Sequence, residues 1–339
     1  MKAVSFGELL LRLSPPRYER LLQSPTLHAC FGGAEANVAV SLAHFGMESH
    51  FVSRLPESAI GDAAIRALRG EGVHVDAVLR GGQRMGIYFV ETGSGPRPST
   101  VVYDRSSSAM SELSPDAVAW PAVFAEATWF HTSGITPALG PSPAECTRAA
   151  LVAAQSAGAK VSFDINYRSK LWPEADARRV LEPLMPYVTL LIANEEHLRT
   201  ILGISAEPTH ERERAGDVLR VLAERVAAKY GIAHVAVTVR ESASASENAV
   251  SAVLFDRASG TFHRGRRYAI RLVDRIGGGD AFAAGLIFAL ASGRSHEDAL
   301  AFALAASTLK QTIVGDFNRV SVSEVERLKA GDASGRVRR

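Results

Sequence analysis

Three consecutive glycines followed by an acid, Gly277-Gly278-Gly279-Asp280, combine residue types that phosphoryl chemistry requires. Such a run permits positive φ and lets backbone N–H groups converge on one point. An alternating stretch (Tyr268, Ile270, Leu272) leads into it, and an apolar helix leaves it near Asp280. The positive end of that helix dipole falls at the same point, so the segment forms an anion cradle. Phosphoryl transfer needs charge stabilisation and a carboxylate within reach of the attacking hydroxyl, which Asp280 can supply. Taken alone, the segment reads equally well as a glycine turn with Asp280 as a simple N-cap. It is not a P-loop, since no Lys-Ser/Thr follows, and no acid closes a dinucleotide-binding unit after it.

The elements that must hold this turn have an α/β pattern, with short apolar runs alternating with amphipathic stretches. Strands are expected at Ala3–Phe6, His50–Ser53, Thr128–His131, Lys160–Asp164, Val188–Ala193 and His234–Val239. Helices are expected at Ala34–Phe45, Ala59–Glu71, Pro143–Ala157, Glu211–Lys229, Asp280–Ala291 and His296–Ile313, the last capped by Ser295. Two stretches break the rhythm. Residues 8–30 hold Pro15, Pro16 and Pro25, and residues 84–105 read as a β-hairpin, Gly86–Glu91 and Thr100–Asp104. Inserted in a parallel fold, they are expected to form a small separate layer that acts as a lid. The polar segment 241–248 is expected to be a mobile loop.

The 339 residues suit one large domain or one with a small appendage; 47% are hydrophobic and 22% charged, as in ordinary globular proteins. A formal net charge of +2 gives no electrostatic case for nucleic acid or membrane partners. Cys30 and Cys146 have no metal spacing and suggest no disulfide framework, and the first residues lack a signal-peptide pattern, so a cytoplasmic protein is expected. Gly331 to Arg339 reads as a flexible, solvated tail. His131 reads as a core histidine.

The segment Asp274–Gly285 resembles the C-terminal signature of the ribokinase-like (PfkB) carbohydrate kinases, whose last Asp is the base. A second stretch, Gly32-Gly33-Ala34-Glu35-Ala36-Asn37-Val38-Ala39, is similar to their N-terminal signature and lies about 240 residues earlier. Within the family the closest likeness is to the kinases of 2-keto-3-deoxygluconate. It is carried by Gly7-Glu8, Gly86-Ile87-Tyr88, Tyr103-Asp104-Arg105, Ser133-Gly134-Ile135-Thr136-Pro137 and Asp164-Ile165-Asn166-Tyr167-Arg168. The resemblance implies an α/β, ribokinase-like three-layer fold over residues 1–330, with a mainly parallel central sheet and a small β-strand lid. It implies that Gly33, Asn37, Tyr88, Tyr103, Arg105, Ile135, Arg168, Asp280 and Asp316 bind the sugar. ATP would be held by Asn166, Arg168, Asn194, Thr238, Arg240, Gly277, Gly279 and Gly315, and catalysis would rest on Asp280 with Gly277, Gly278 and Gly279. Mg²⁺ is implied near Asn194 and Glu196 through water, and a monovalent cation is left open.

Two arginines fit the same substrate class. A sugar acid carries a carboxylate, which arginine binds bidentately, and Arg105 and Arg168 lie on the expected substrate side. Surface ion pairs would also account for either arginine. The expected reaction moves the ATP γ-phosphate to the C6 hydroxyl of 2-keto-3-deoxygluconate. The alternatives are another sugar (fructose, ribose or a related keto-deoxy acid) or a non-catalytic binding regulator. A homo-oligomer joined through the lid is expected from edge-strand logic. His197, Arg240–Ser242 and Arg275 depart from the family pattern.

Overall fold

The computed structural model describes residues 1–206 and 215–332, the side chains of 215–217 apart. The expected helix start at Glu211 and the tail from 333 lie outside the described residues. The chain opens with β1 (Lys2–Phe6), the pair β2 (Leu10–Ser14) and β3 (His28–Gly32), α1 (Ala34–His44), β4 (Glu48–Leu55) and α2 (Ala59–Gly70). After β5 (Val78–Arg80) come the hairpin β6 (Ile87–Glu91) and β7 (Thr100–Asp104), then one turn of helix, α3 (Trp120–Val123). The middle alternates through β8 (Ala127–Ser133), α4 (Pro141–Ser156), β9 (Lys160–Asp164), α5 (Glu174–Leu181) and β10 (Leu190–Asn194). There follow α6 (Glu195–Thr200), α7 (Ala215–Tyr230), β11 (His234–Ser242), β12 (Glu247–Asp256), β13 (Thr261–Arg264) and β14 (Tyr268–Arg271). Last come α8 (Gly278–Ala291), α9 (His296–Lys310) and α10 (Val322–Lys329).

Ten strands make one sheet in the order β13-β12-β11-β10-β9-β8-β1-β4-β5, with β14 pairing the other end of β12. From β11 to β5 the pairing is parallel; β12 reverses the direction at one side. Strands buried on both faces read as apolar runs, and the runs expected at β1, β4, β8, β9, β10 and β11 are those of this sheet. One face packs on α4, α5 and α7, around Phe130, Phe163 and Leu191. The other packs on α1, α8, α9 and α10, around Phe282, Phe302 and Leu190. Three layers result. Ser295 caps α9 as expected, its hydroxyl accepting from Asp298 N at 3.2 Å.

A second sheet has the order β3-β2-β6-β7, parallel between β2 and β6 and antiparallel elsewhere. It is the separate layer anticipated from the two interruptions. The polar segment 241–248 differs from expectation. Its ends belong to β11 and β12, and the turn between them is pinned to the tip of the β6–β7 hairpin. Ala245 N donates to Gly95 O at 2.9 Å, and Gly95 N donates to Ser246 Oγ at 3.0 Å. Small polar residues here serve a hairpin connection with its hydrogen bonds made, not a free loop.

Candidate active site

The last residues of β9 and β10, with Thr238, Val239 and Arg240 of β11, open into a cavity of about 630 Å³, roofed by the small sheet and closed below by the starts of α1 and α8. Ligands of α/β sheets bind at this end of the strands. The geometry separates the two readings of Asp280. Gly277, at φ 83°, is the N-cap of α8, and no side chain caps the helix. The helix therefore starts two residues before the expected Asp280, whose carboxylate faces the cavity instead. Its Oδ2 accepts from Asn37 Nδ2 at 2.7 Å. Asn37 lines the cavity, is buried, and its Oδ1 accepts from Gly33 N at 3.3 Å, so its amide holds both Asp280 and the first turn of α1.

Burial raises the Asp280 pKa to about 6, against the hydrogen bond from Asn37 and with help from Asp316. If Asp280 is the base expected from the sequence, it works only when ionised. With the folded-state value above the usual carboxylate range, kcat/KM should fall about tenfold per pH unit below pH 6 and level off above it. A pH–rate profile with no limb above pH 5 would contradict this.

Gly277 needs its glycine twice over. A Cβ there would lie 2.2 Å from the carbonyl oxygen of Asp316, at a left-handed φ. Gly277→Ala should cost about 1–2 kcal/mol from the backbone angle alone, visible as a lower urea midpoint. At Gly279 a Cβ would meet nothing within 4 Å, because this residue presents its backbone to the cavity. Gly278 and Gly315 do not line it. Gly278 packs on Gln311 at the back of the turn, and Gly315 N donates to Asp274 Oδ2 at 3.0 Å.

Beneath the turn lies a buried charge network. Arg12, on β2, reaches Asp274 Oδ2 at 2.7 Å and Asp316 Oδ1 at 2.8 Å. The Tyr88 hydroxyl donates to the other Asp316 oxygen, so Tyr88 and Asp316 are joined to each other within the cavity wall. The Lys310 side chain is fully buried nearby; burial lowers its pKa against the pull of Asp274 and Asp316. Asp274 also accepts from Ile276 N at 3.1 Å. Its carboxylate is thus surrounded by donors of the protein itself.

On the small-sheet side, Tyr103 stacks on Tyr88 and lies under the Arg105 guanidinium. Arg105 is paired, but not at the surface: it donates to Glu8, which also accepts from Ser108. The Arg105 Nε is buried without a hydrogen-bond partner. Ile135 and Gly33 line the same wall, and a Cβ on Gly33 would stand 2.1 Å from Glu8 O. On the strand-end side, Arg168, Arg240 and Arg275 face the cavity, and none forms a salt bridge among the described residues. Loss of solvent, then Arg275 and Arg168, lowers the Arg240 pKa. Three arginines without salt bridges among the described residues gather at this side of the cavity and suit a polyanion.

Asn166, at φ 38°, and Thr238 lie among them. Asn194 caps α6, its Oδ1 accepting from His197 N at 2.7 Å. Glu195 pairs with Arg199 at 3.0 Å, whereas Glu196 is exposed and unpaired among the described residues. Glu196 is therefore the carboxylate suited to a hydrated cation. His197 also lines the cavity, and burial lowers its pKa to about 4.

Three acids in this cavity were not singled out from the sequence. Glu8 accepts from Arg105 and Ser108. Glu35 Oε1 accepts from Ser133 Oγ at 2.5 Å and Thr136 Oγ1 at 3.0 Å, and burial raises its pKa to about 7. Burial, then Asp280, raises Asp164 to about 7. Each lies inside one of the family-like motifs, Gly7-Glu8, Gly32–Ala39 and Asp164–Arg168, so the signal was position within the motif.

A model of the pfkB family of carbohydrate kinases matches residues 1–316. The 2-dehydro-3-deoxygalactonokinase of Haloferax volcanii is 38% identical over 332 residues, covering 97% of each chain. The 2-dehydro-3-deoxygluconokinase of Bacillus subtilis is 28% identical, with 96% of this chain and 94% of its own covered. Among solved structures, the 2-dehydro-3-deoxygluconokinase of Thermotoga maritima superposes with a TM-score of 0.94 at 45% identity, covering 98% of both chains. Among the described residues, no helix is long and apolar enough to cross a membrane.

Proposed function

The chain belongs to the pfkB family of carbohydrate kinases and is an ATP-dependent sugar kinase; from that premise we propose that it phosphorylates the C6 hydroxyl of 2-keto-3-deoxygluconate. The observation that carries this reading is the Asp280 carboxylate, released from capping and held by Asn37 in a cavity with arginines at both sides. Asp280 accepts the proton of the attacking hydroxyl. The backbone of Gly277–Asp280 and the positive end of α8 stabilise charge on the transferred phosphoryl group. Arg240 and Arg275 hold the polyphosphate, with Asn166 and Thr238 beside them, and Arg168 serves either the polyphosphate or the sugar acid. Mg²⁺, bound through water at Glu196 and Asn194, would supply neutralisation of the β- and γ-phosphate oxygens. Enclosure under the small sheet keeps water from the γ-phosphate.

The acid function of the substrate fits Arg105, which lines a wall shared with Tyr103, Ile135 and Gly33. The relatives named for 2-dehydro-3-deoxygluconate, a synonym of 2-keto-3-deoxygluconate, support the choice. A second reading, the C4 epimer 2-keto-3-deoxygalactonate, is favoured by the relative of that name at 38% identity.

A coupled ATP-consumption assay over both epimers, fructose and ribose tests the proposal. The gluconate-derived acid should give the highest kcat/KM. Preference for a neutral sugar would overturn the acid reading, and binding without turnover of any sugar would overturn the enzymatic one. The exposed edge strand β7, with Val102 and Tyr103 open to solvent, is the surface proposed to pair with a second copy. Sedimentation should show a dimer that Val102→Lys disrupts.

A further inference from the structure

At the end of the sheet opposite the cavity, β11 begins with His234, which pairs directly across the ladder with Asp256 on β12. The alternation that sends Leu254 and Ala252 towards α9 sends Asp256 the same way, and His263, opposite Leu254, shares that face. The first residue of α9, fixed there by the Ser295 cap, is His296. Four potential ligands from four elements thus converge, with ring centroids 4.8 Å apart for His234 and His296 and 5.9 Å for His263 and His296.

We propose that His234, Asp256 and His296 form a binding site for a first-row divalent transition-metal ion, Zn²⁺ above all, distinct from the catalytic cavity. The separations are those of ligands around an ion. His234 Nδ1 lies 3.5 Å from Asp256 Oδ1, and His296 Nδ1 lies 3.7 Å from Asp256 Oδ2. Both are too long for hydrogen bonds. Tetrahedral ligands at about 2.0–2.1 Å from Zn²⁺ stand about 3.3–3.4 Å from one another. The three ligand atoms all lie within 4.8 Å, so rotation of one imidazole brings them to that spacing.

Two further features suit the role. The buried His234 Nδ1 has no hydrogen-bond partner, leaving its lone pair for coordination when the ring is neutral. The Asp256 carboxylate is oriented from behind by Ser259 N, Ser259 Oγ and Ala258 N, as ligating carboxylates commonly are. Two imidazoles and one carboxylate favour zinc and its neighbours over Mg²⁺ or Ca²⁺. His263 or water completes the sphere. The ion ties β11, β12 and α9 together at one end. The far ends of β11 and α9 carry Arg240 and Ser307 into the catalytic cavity.

The test uses the whole chain freed of any affinity histidines, dialysed against a chelator and kept in excess Mg²⁺. It is titrated with Co²⁺ under visible spectroscopy and with Zn²⁺ against a chromophoric chelator. One ion per chain is expected, with ligand-field bands of low-symmetry Co²⁺ and a higher Tm with Zn²⁺. His234→Gln and His296→Gln should each weaken Zn²⁺ binding by about tenfold or more and abolish the Tm shift. Sugar phosphorylation with Mg²⁺ should be unchanged in both variants. Absence of Zn²⁺ uptake by the wild type, or uptake of wild-type affinity by both variants, would overturn the proposal.

Discussion

Asp280→Asn should lose about 10²–10⁴-fold in kcat while its fold and sugar KM persist. The substitution is nearly isosteric, and an amide oxygen at this position still accepts the hydrogen bond that Asn37 Nδ2 makes. It removes a charge that the surroundings hold at a cost, since burial has raised the carboxyl to about pH 6. The folded state should therefore be no less stable than the wild type near neutral pH. Only the capacity to take the hydroxyl proton is lost. Steady-state kinetics beside thermal unfolding separates the two effects, and near-normal turnover in a folded variant would end the assignment of Asp280 as base.

Arg168→Ala is the second large effect, and it decides which ligand this residue serves. Arg168 is exposed to the cavity, and among the described residues its one hydrogen bond is to its neighbour's carbonyl, Tyr167 O, at 3.2 Å. Its removal breaks no salt bridge, although its charge also favours the ionised forms of Asp164 and Asp280, so kcat is read beside both KM values. Loss of a charged hydrogen bond to a ligand costs about 1.5–3 kcal/mol, equivalent to a rise of about ten- to 150-fold in the affected KM. A rise confined to the sugar acid places Arg168 on the substrate carboxylate. A rise confined to ATP groups it with Arg240 and Arg275 on the polyphosphate, and no rise in either removes it from the site. Arg105→Ala is less clean, because it also strands Glu8, which is buried beneath it.

The sequence carried the parallel strands well because their apolar runs owe little to context. It missed β12, whose Ala249, Ser251 and Ala252 have little intrinsic strand preference and are held by pairing on both sides. Composition also misread residues 241–248, since the hydrogen bonds that fix them come from Gly95, far away in the chain. Within the site, residue type marked Asp280 and the arginines as chemically capable. Which side chains were already engaged was not legible. Asn37 bonds Asp280, Tyr88 bonds Asp316 and Arg105 bonds Glu8, each across roughly a hundred residues or more of chain. Such pairings depend on tertiary approach, which local pattern does not encode.

The small sheet is tied down at several places. Arg12 anchors β2 through two buried ion pairs, Tyr88 anchors β6 through Asp316, and the β6–β7 tip is held at Gly95. Separating a buried pair of charges is costly, at about 3–5 kcal/mol when one partner is lost. The sequence leads one to expect a lid; we propose instead that a sheet so fastened closes little further, so that little conformational entropy is lost when the sugar arrives. Calorimetry should reflect this. Sugar binding should show a heat-capacity change of the size expected from the ligand's own buried surface, without the larger negative value that accompanies ordering of a segment.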